Sequence, residues 1–298
     1  MKSKNHELKI INKIDVSKTI KSIKMVKRFL LLLVTVTLLI SCSSDDSVTP
    51  EVTTLIPDPN FEQALIDLGI DTNGLDGTIL NSDAENVTEL PIYFKEISDL
   101  TGINAFTNLE SLDCEGNYLT YLDISKLDVL KTLVCGNNNI ESINFSEQSS
   151  LEHISCGDSL LTSLDVSTSP NLHYLMCAKN ELIALDLSLN TELIHLVLSR
   201  NNLTEIDLSN NLLLENLYAS GNNLDNLDLS ANNMLEKVFV DNNQLQELII
   251  KNGNNTSITN FSAKINPNLT CIEVDNPNYS NYNWGNVDPQ TTFLVNCN

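Results

Sequence analysis

The chain contains seven consecutive segments that repeat at an unbroken period of 21 residues. A leucine opens every segment, at Leu109, Leu130, Leu151, Leu172, Leu193, Leu214 and Leu235. A second apolar residue follows three positions later, at Leu112, Leu133, Ile154, Leu175, Leu196, Leu217 and Val238. A unit this short cannot bury its own apolar edge, so successive units must stack on one another as an elongated solenoid.

Two more columns complete the repeat and specify its type. Small or apolar residues occupy the sixth place of each unit, at Cys114, Cys135, Cys156, Cys177, Leu198, Ala219 and Val240. The ninth place holds Asn117, Asn138, Ser159, Asn180, Asn201, Asn222 and Asn243. This spacing is the signature of a leucine-rich repeat, Leu-x-x-Leu-x-Leu-x-x-Asn-x-Leu. It predicts a right-handed solenoid with a parallel β-sheet on its concave face, inward leucines and cysteines, and asparagine amides that bond the backbone where each coil turns.

The segments on either side of the repeats predict caps. Asp58 is a typical N-cap, Pro59 fits the first helical position and Gly69 ends the pattern, so one short helix is expected over the open end of the first coil. A degenerate first coil is indicated by Val87, Leu90, Ile97 and Leu100, and an imperfect eighth coil by Ile258, Phe261, Ala263 and Asn266. The expected divisions are a cap with the first coil over 55–108, the solenoid over 109–266 and a C-terminal cap over 267–298.

The first 41 residues have the features of an export signal. A basic stretch that includes Lys24 and Arg28 precedes an apolar run of 12 residues over 29–40, which is too short to span a bilayer. The run ends in Leu-Ile-Ser-Cys, which resembles a bacterial lipobox and implies cleavage before Cys42 and a lipid on its sulfur. An ordinary signal peptide with an incidental Cys42 is the alternative, and Met25 is an alternative start.

Residues 42–54 are polar and predict a flexible tether between the lipid and the folded domain. The Ser-Asp-Asp sequence just after Cys42 resembles the acidic surface-export signal of lipoproteins in Bacteroidetes-type bacteria. We therefore expect a lipid anchor in the outer membrane and a domain exposed on the cell surface.

The charge distribution excludes one class of partner. Nine of the 17 Lys and Arg residues lie before residue 42, which leaves 8 basic and 37 acidic residues in the rest of the chain, a net charge of −29. Nucleic acid requires basic surface that displaces counterions, so nucleic-acid binding is not expected. A soluble surface domain that repels other anions fits the composition.

The seven cysteines fall into three groups. Cys42 is the expected lipid site. The four cysteines of the repeat are separated by the strand spacing, which exceeds the ~3.8 Å between the Cβ atoms of a disulfide, so free buried thiols are expected. Cys271 and Cys297 lie in a non-repetitive tail, and an exported protein can keep disulfides. We expect these two to form a disulfide that staples the C-terminal cap.

The residues beside the second leucine of each unit face the concave surface, because side chains alternate along a strand. One such column is Ser111, Thr132, His153, Tyr174, His195, Asn216 and Lys237, and the other is Asp113, Val134, Ser155, Met176, Val197, Tyr218 and Phe239. The candidate ligand-binding residues are His153, Tyr174, Met176, His195, Val197, Tyr218 and Phe239, an exposed aromatic and apolar cluster. Such a cluster resembles a protein-binding hot spot. Stacking on sugar rings and an ordinary strand-favouring surface are the alternatives.

The sequence predicts no catalytic residue, no metal site and no cofactor. The Gly-Asp-Ser-Leu sequence over 157–160 matches an esterase signature, but it lies in register with the previous coil, so Ser159 replaces a ladder asparagine. The segment 71–77 resembles a calcium loop without the distal Glu of an EF-hand, and a turn is expected there. Aspartates followed by serines, such as Asp186 and Ser188, predict turns on the convex side. A calcium ladder along that aspartate column is the alternative.

A known family shares these features. The cap sequence Pro-Asp-Pro-Asn-Phe-Glu over 57–62, the segment Asp-Leu-Thr-Gly-Ile over 99–103, the 21-residue coils and the Cys column resemble internalin-type leucine-rich repeats, above all the cysteine-ladder internalins and their surface homologues in Bacteroidetes. The resemblance covers about 55–298 and implies a surface module for adhesion, or for contact with a host or neighbouring cell, through a protein ligand.

Two departures from that family limit what can be carried over. The Cys column stops after Cys177, and no immunoglobulin-like or wall-sorting segment follows the repeats. The anchor is therefore expected to be the N-terminal lipid, and the targets of internalins are not carried over. A glycan-binding lipoprotein for nutrient capture and a structural envelope protein remain the alternative functions.

Overall fold

Each repeat forms one coil of a solenoid in the computed structural model, which describes residues 51–147 and 149–297. The expected export signal, the alternative start at Met25 and the lipid site at Cys42 lie outside the described residues. Within the described ranges, no helix combines the length and the apolar character that a membrane crossing requires.

The elements are short and follow one another in every coil. The strands are β1 (Thr53–Leu55), β2 (Thr78–Leu80), β3 (Glu89–Pro91), β4 (Ser111–Asp113), β5 (Tyr121–Asp123), β6 (Thr132–Val134), β7 (Ser142–Asn144), β8 (His153–Ser155), β9 (Tyr174–Met176), β10 (His195–Val197), β11 (Asn216–Tyr218), β12 (Asn226–Asp228), β13 (Lys237–Phe239), β14 (Glu247–Ile249), β15 (Asn260–Ser262), β16 (Cys271–Glu273) and β17 (Thr292–Leu294). The helices are α1 (Pro59–Asp67), α2 (Asn81–Ala84) and α3 (Pro277–Asn283), with 3₁₀ turns over Ile103–Ala105 and Asn255–Ser257.

One nine-stranded sheet runs along the solenoid in the order β15-β13-β11-β10-β9-β8-β6-β4-β3. All its neighbours are parallel, and the second leucine of one unit pairs with the second leucine of the next, as Leu175 does with Leu196. The predicted parallel sheet is therefore confirmed, and β3 and β15 extend it into the degenerate first coil and the imperfect eighth coil. The strand β1 pairs antiparallel with β2, so Thr53 and Thr54, the last two residues of the segment expected to be a tether, belong to a strand.

The repeated apolar columns form the core. The leucines of the first two columns are at most 2 % exposed, and the four repeat cysteines are free and buried. Burial raises the pKa of the Cys177 thiol to about 12, and the other three thiol pKa values are raised by burial as well. A protonated, water-free thiol behaves as a small hydrophobe, as the sequence predicted.

The ninth-place asparagines link each coil to the one before it. Asn201 is typical, because its Nδ2 donates to the carbonyls of Cys177 and Leu198 at 3.0 and 2.9 Å. Its Oδ1 accepts from the backbone N–H of Leu182 at 3.1 Å. These bonds satisfy buried backbone groups that no neighbouring strand pairs. Leaving such groups without a hydrogen bond would destabilise the fold. The predicted asparagine ladder is confirmed.

A second asparagine column, which the sequence analysis missed, lines the other side of the core. Its members are Asn190, Asn211 and Asn232, all fully buried. The Nδ2 of Asn211 donates to the carbonyls of Leu187 and Asn190 at 3.1 and 2.9 Å. The signal was present, because these residues also recur every 21 positions, two residues after the turn serines, but no role was predicted for them.

The aspartate and serine column closes turns as predicted. The Asp186 carboxylate accepts from the Ser188 backbone N–H at 2.9 Å, and the same bond recurs at Asp165 and Asp207. The hydrogen bonds from the backbone and side chain of Ser188 hold the pKa of Asp186 below its ordinary value. Near both ends of the solenoid the turn segments also pair as strands, in the parallel sheets β5-β7 and β12-β14-β16-β17, which the sequence analysis did not predict.

The N-terminal helix depends on Asp58. One carboxylate oxygen accepts from the backbone N–H groups of Asn60 and Phe61, which caps α1. The other accepts from the backbone and hydroxyl of Ser98 and from the backbone of Asp99, in the first coil. Asp58 therefore holds the cap helix and the first coil together, and the predicted N-cap is confirmed.

The C-terminal end is closed by aromatic packing and a disulfide. Trp284 stacks on Phe261 of the eighth coil, with ring centroids 4.5 Å apart, and its indole N–H donates to the Ile258 carbonyl at 3.1 Å. Cys271 and Cys297 form a disulfide, which confirms that prediction. The last coil thus buries its open face instead of exposing it to water.

One rung of the first asparagine ladder is defective. Ser159 takes the ladder position, and its Oγ is buried without a hydrogen-bond partner in the described chain. The adjacent coils show what is lost, since Asn180 donates to Cys156 and Cys177 and accepts from Leu161. A serine is too short to span this distance.

Replacing Ser159 by Asn is expected to stabilise the protein. The new amide restores the missing bonds, and a net gain of about 1 kcal/mol in the free energy of unfolding is expected from one to two added hydrogen bonds. Urea denaturation measures it. The reverse change, Asn201→Ser, should lower the free energy of unfolding by at least about 1 kcal/mol. Equal stabilities for wild type and Ser159→Asn would contradict this account of the ladder.

Removing the charge at Asp58 is expected to change how stability depends on pH. Burial raises the pKa of Asp58, but the bonds from Ser98, Phe61 and Asn60 outweigh it, and the pKa lies below the ordinary value of 3.8. A lowered pKa stabilises the fold above the unfolded pKa, and this stabilisation is lost as the pH falls through the folded pKa. Asp58→Asn should therefore cost about 1 kcal/mol at pH 7 and progressively less below about pH 4.

The matched control for that measurement is Glu192→Gln, which removes an exposed carboxylate of the solenoid. Its free energy of unfolding should follow wild type across the same pH range. A constant difference between Asp58→Asn and wild type from pH 7 to pH 2 would show that the Asp58 charge is not what links the cap to the first coil.

Candidate binding surface on the concave sheet

The nine-stranded sheet presents two columns of side chains on its concave face. The middle residue of each strand is buried, and the residues before and after it lie on the opposite face. Register pairing puts like positions of successive coils side by side, so Tyr174 lies between His153 and His195, and Tyr218 lies between Val197 and Phe239. The sheet therefore brings the seven predicted residues onto one face.

These residues are less exposed than the sequence analysis expected. All seven are half-buried. The physical reason is the strand spacing of about 4.8 Å, which lets large side chains on neighbouring strands cover one another. The cluster is a ribbed surface of packed side chains and not a set of freely exposed rings.

The aromatic rings of this face form two groups. The rings of His153 and Tyr174 are parallel, with centroids 4.2 Å apart, and His195 meets Tyr174 edge-on at 6.1 Å. The rings of Tyr218 and Phe239 are also parallel, at 5.1 Å. Parallel rings on adjacent strands face each other along the solenoid, so their edges point away from the sheet.

A shallow depression of about 390 Å³ separates the two groups. It is lined by Tyr174, His195, Val197, Asn216, Tyr218 and Lys237. Four of the seven predicted residues are among these, while His153 and Phe239 support the depression from outside by stacking on its tyrosines. Asn216 and Lys237 were not predicted, although the sequence places both in the first column, because neither is aromatic or apolar.

Met176 belongs to the predicted cluster but not to the depression. Its side chain lies close to Gly157 of the previous coil. A Cβ atom added to Gly157 would lie 2.5 Å from the Met176 Sδ and 2.9 Å from the Ala178 carbonyl oxygen. Gly157 is therefore required by close packing. This accounts for the glycine of the apparent esterase signature, and Ser159 of the same segment is buried in the ladder.

The polar groups of the depression are incompletely paired. The Nδ2 of Asn216 lies 2.6 Å from the Nδ1 of His195. The Oδ1 of Asn216 is buried and has no partner in the described part of the chain. On the adjacent rung, burial lowers the pKa of His153, which favours the neutral imidazole that stacks on Tyr174.

The concave face differs in charge from the rest of the domain. Residues 51–298 contain 8 basic and 35 acidic residues. None of the acids occurs among the concave positions of β6, β8, β9, β10, β11, β13 and β15, which do include Lys237 and two histidines. Acidic side chains flank this strip, for example Glu152, Glu215 and Glu236, each one residue before a strand.

The acidic loop and the aspartate column do not assemble a metal site of the usual kind. In the ranges 51–147 and 149–297, no group of three or more His, Cys, Asp or Glu side chains could hold a metal ion. In the loop over 71–77 the buried Glu62 accepts from the backbone N–H groups of Asp76 and Gly77 at 2.7 and 2.6 Å. The loop is a turn held by these bonds and by Asp71, which accepts from the Asn73 backbone at 3.1 Å.

Comparison with known proteins identifies structural relatives only. No protein-family model matches the chain, and no curated protein matches it. Among solved structures, the functional domain of InlJ from Listeria monocytogenes, described as including a cysteine ladder, is 28% identical with a TM-score of 0.66. The match covers 76% of this chain and 53% of that one, so the chain spans about half of the InlJ domain.

Two further structures share the fold. Internalin C2 from Listeria monocytogenes is 19% identical with a TM-score of 0.56, over 64% of this chain and 87% of its own. The leucine-rich-repeat ectodomain of the receptor kinase GASSHO1/SCHENGEN3 from Arabidopsis thaliana, in complex with Casparian strip integrity factor 2, is 18% identical with a TM-score of 0.55, over 72% and 28%. At these identities the likeness concerns the fold alone. The structural neighbours of the chain thus include internalin-type leucine-rich-repeat proteins, one of them a cysteine-ladder domain, which confirms the resemblance to that type of repeat.

Proposed function

We propose that the chain is a cell-surface lipoprotein that binds a protein partner through the concave face of its leucine-rich repeats. Its role is adhesion or contact with a host or neighbouring cell. The observation that carries the proposal is the half-buried cluster of rings and apolar side chains around the depression. Aromatic residues in a partly desolvated cluster with polar neighbours are the usual centre of a protein interface.

The ring orientation favours a protein over a glycan. Sugar rings bind by lying on an open aromatic face. In this cluster Tyr218 and Phe239 use one face each against the other, and Tyr174 uses one face against His153. Each stacked ring keeps its second face, but His195 meets Tyr174 edge-on, and rings that stand side by side on adjacent strands present mainly their edges to a ligand, which suits apolar side chains and edge-on aromatic contacts. Glycan binding for nutrient capture is therefore the second candidate, and a structural envelope protein without a ligand is the third.

The anchoring part of the proposal rests on the sequence. The lipobox-like sequence ending in Cys42 and the Ser-Asp-Asp that follows it support a lipid anchor and surface exposure. A domain with 27 more acidic than basic residues over 51–298 suits a surface position, because it stays soluble and resists non-specific association.

The partner-binding face can be tested with beads coated with the full chain and added to host or neighbouring cells. The variant with Tyr174, Tyr218 and Phe239 replaced by Ala is expected to bind about 30-fold or more weakly, the loss typical of removing a hot spot. Tyr282→Ala is the matched control, because Tyr282 is 90% exposed in the C-terminal cap. Adhesion that survives the triple replacement would remove the concave face from the proposal.

The class of ligand follows from pretreating the target cells. Protease treatment should abolish adhesion of the coated beads, and glycosidase treatment should leave it unchanged. The opposite pattern would replace the protein partner with a glycan.

Surface exposure can be tested separately by protease shaving of intact cells, followed by detection of the 55–298 domain. Release of the domain is expected. Protection until the outer membrane is breached would exclude adhesion and make a periplasmic scaffolding role the leading function.

A further inference from the structure

We propose that the depression on the concave face binds a carboxylate group of the partner, with Lys237 and Asn216 as the groups that hold it. The carboxylate comes from an Asp or Glu side chain or from the C-terminus of a chain. This inference rests on the proposed function and names the chemistry that the concave site recognises.

The first argument is an unmatched amide. Asn216 is 7% exposed, lines the depression, and pairs through one side-chain atom with the His195 ring. Its other amide atom has no partner in the described chain. Turning the amide by 180° pairs Oδ1 with the His195 ring in its Nδ1–H tautomer and leaves Nδ2 unmatched instead. Either way one buried polar atom lacks a bond, at a cost of about 1–3 kcal/mol, and a ligand relieves this cost when the Asn216 side chain turns toward the depression that it lines.

The second argument is an unpaired cation. Lys237 lines the same depression, is half-buried and takes part in none of the ion pairs found among the described residues, which use Lys95, Lys131 and Lys179. It is the one Lys or Arg on the concave positions of β6 to β15. A half-buried cation beside aromatic rings is less screened by water than a fully exposed one, so it attracts an anion more strongly.

The register brings these two features together. His195, Asn216 and Lys237 occupy the same position on the successive strands β10, β11 and β13. Neighbours at this register are about 4.8 Å apart, so a group that bonds the Asn216 amide from solvent is also within reach of the Lys237 side chain. The depression therefore offers a donor and a positive charge at one point.

A carboxylate completes this network with every atom paired. His195 Nδ1–H donates to Asn216 Oδ1, Asn216 Nδ2–H donates to one ligand oxygen, and the Lys237 ammonium donates to the other. The tyrosines on either side, Tyr174 and Tyr218, then contact the apolar residues next to the carboxylate. A basic group fits less well, because it would lie against Lys237.

The acidic surroundings define how many charges the partner can carry. Carboxylates such as Glu215 and Glu236 flank the strip, and at physiological salt they act over about 8 Å. They repel a polyanion or a run of acids. We therefore infer a partner segment with a single carboxylate between apolar residues.

The test uses a phage-displayed library of random peptides selected against the full chain. One acidic position, or a free C-terminal carboxylate, is expected to be enriched among the binders. The best binder is then synthesised with Glu replaced by Gln, or with its C-terminus amidated, and the two changes identify which carboxylate is used. Calorimetry should show that Lys237→Met binds the acidic peptide with an affinity roughly tenfold or more below that of wild type. This is the effect of losing one charge-assisted hydrogen bond.

The control variant is Lys126→Met, which removes an exposed lysine outside the concave face and should bind as wild type does. The amide peptide should bind wild type and Lys237→Met equally, because the charge pair is absent in both cases. Asn216→Asp, close to isosteric, should weaken the acidic peptide further by repulsion.

Three outcomes would overturn the inference. Binders without a shared carboxylate, or binders that are insensitive to Lys237→Met but lost with Tyr218→Ala, would remove the carboxylate and leave the proposed protein-binding face intact. Failure to select any binder whose affinity depends on the concave residues would overturn both.

Discussion

The hydrogen bonds of the ladder asparagines are the interaction on which the rest of the solenoid depends. A coil of 21 residues buries backbone carbonyls at a turn where no strand can pair them. Each asparagine bonds two carbonyls and one N–H across two coils, as Asn222 does with Leu198, Ala219 and Leu203. Because the same amide fixes the end of one strand relative to the next, it also sets the register that places Tyr174 beside His195 and Asn216 beside Lys237. The binding face is thus a product of the ladder.

The sequence predicted those parts of the structure that depend on periodicity. The core columns and the first asparagine ladder follow from residue types that recur every 21 positions. The cap residue Asp58 follows from its place just before the N-terminal helix. The sequence did not predict the features that depend on which particular hydrogen bonds and contacts a side chain makes in the folded chain. The second ladder at Asn211 was not predicted, because an asparagine just after a turn serine suits the turn equally well.

The same limit applies to the candidate site. The two concave columns could be listed from strand alternation, and four of the seven chosen residues line the depression. The half-burial of the rings could not be foreseen, since it depends on the rotamers by which Tyr218 and Phe239 stack. Asn216 and Lys237 were not among the candidates, because the candidates were chosen for aromatic or apolar side chains that bury large areas. These two residues contribute an unmatched hydrogen bond and an unpaired charge instead.

The short reach of each ladder asparagine has an evolutionary consequence. Its bonds join one coil to the preceding coil and extend no further, as the contacts of Asn201 show. Deleting or duplicating one whole coil therefore leaves every remaining rung correctly bonded, and extra residues in the loop between two rungs are tolerated, since Asn266 keeps its ladder bonds although it follows Asn243 by 23 residues. A lineage of such proteins can change its ligand by gaining, losing or exchanging entire coils, with the concave residues carried along as interchangeable cassettes.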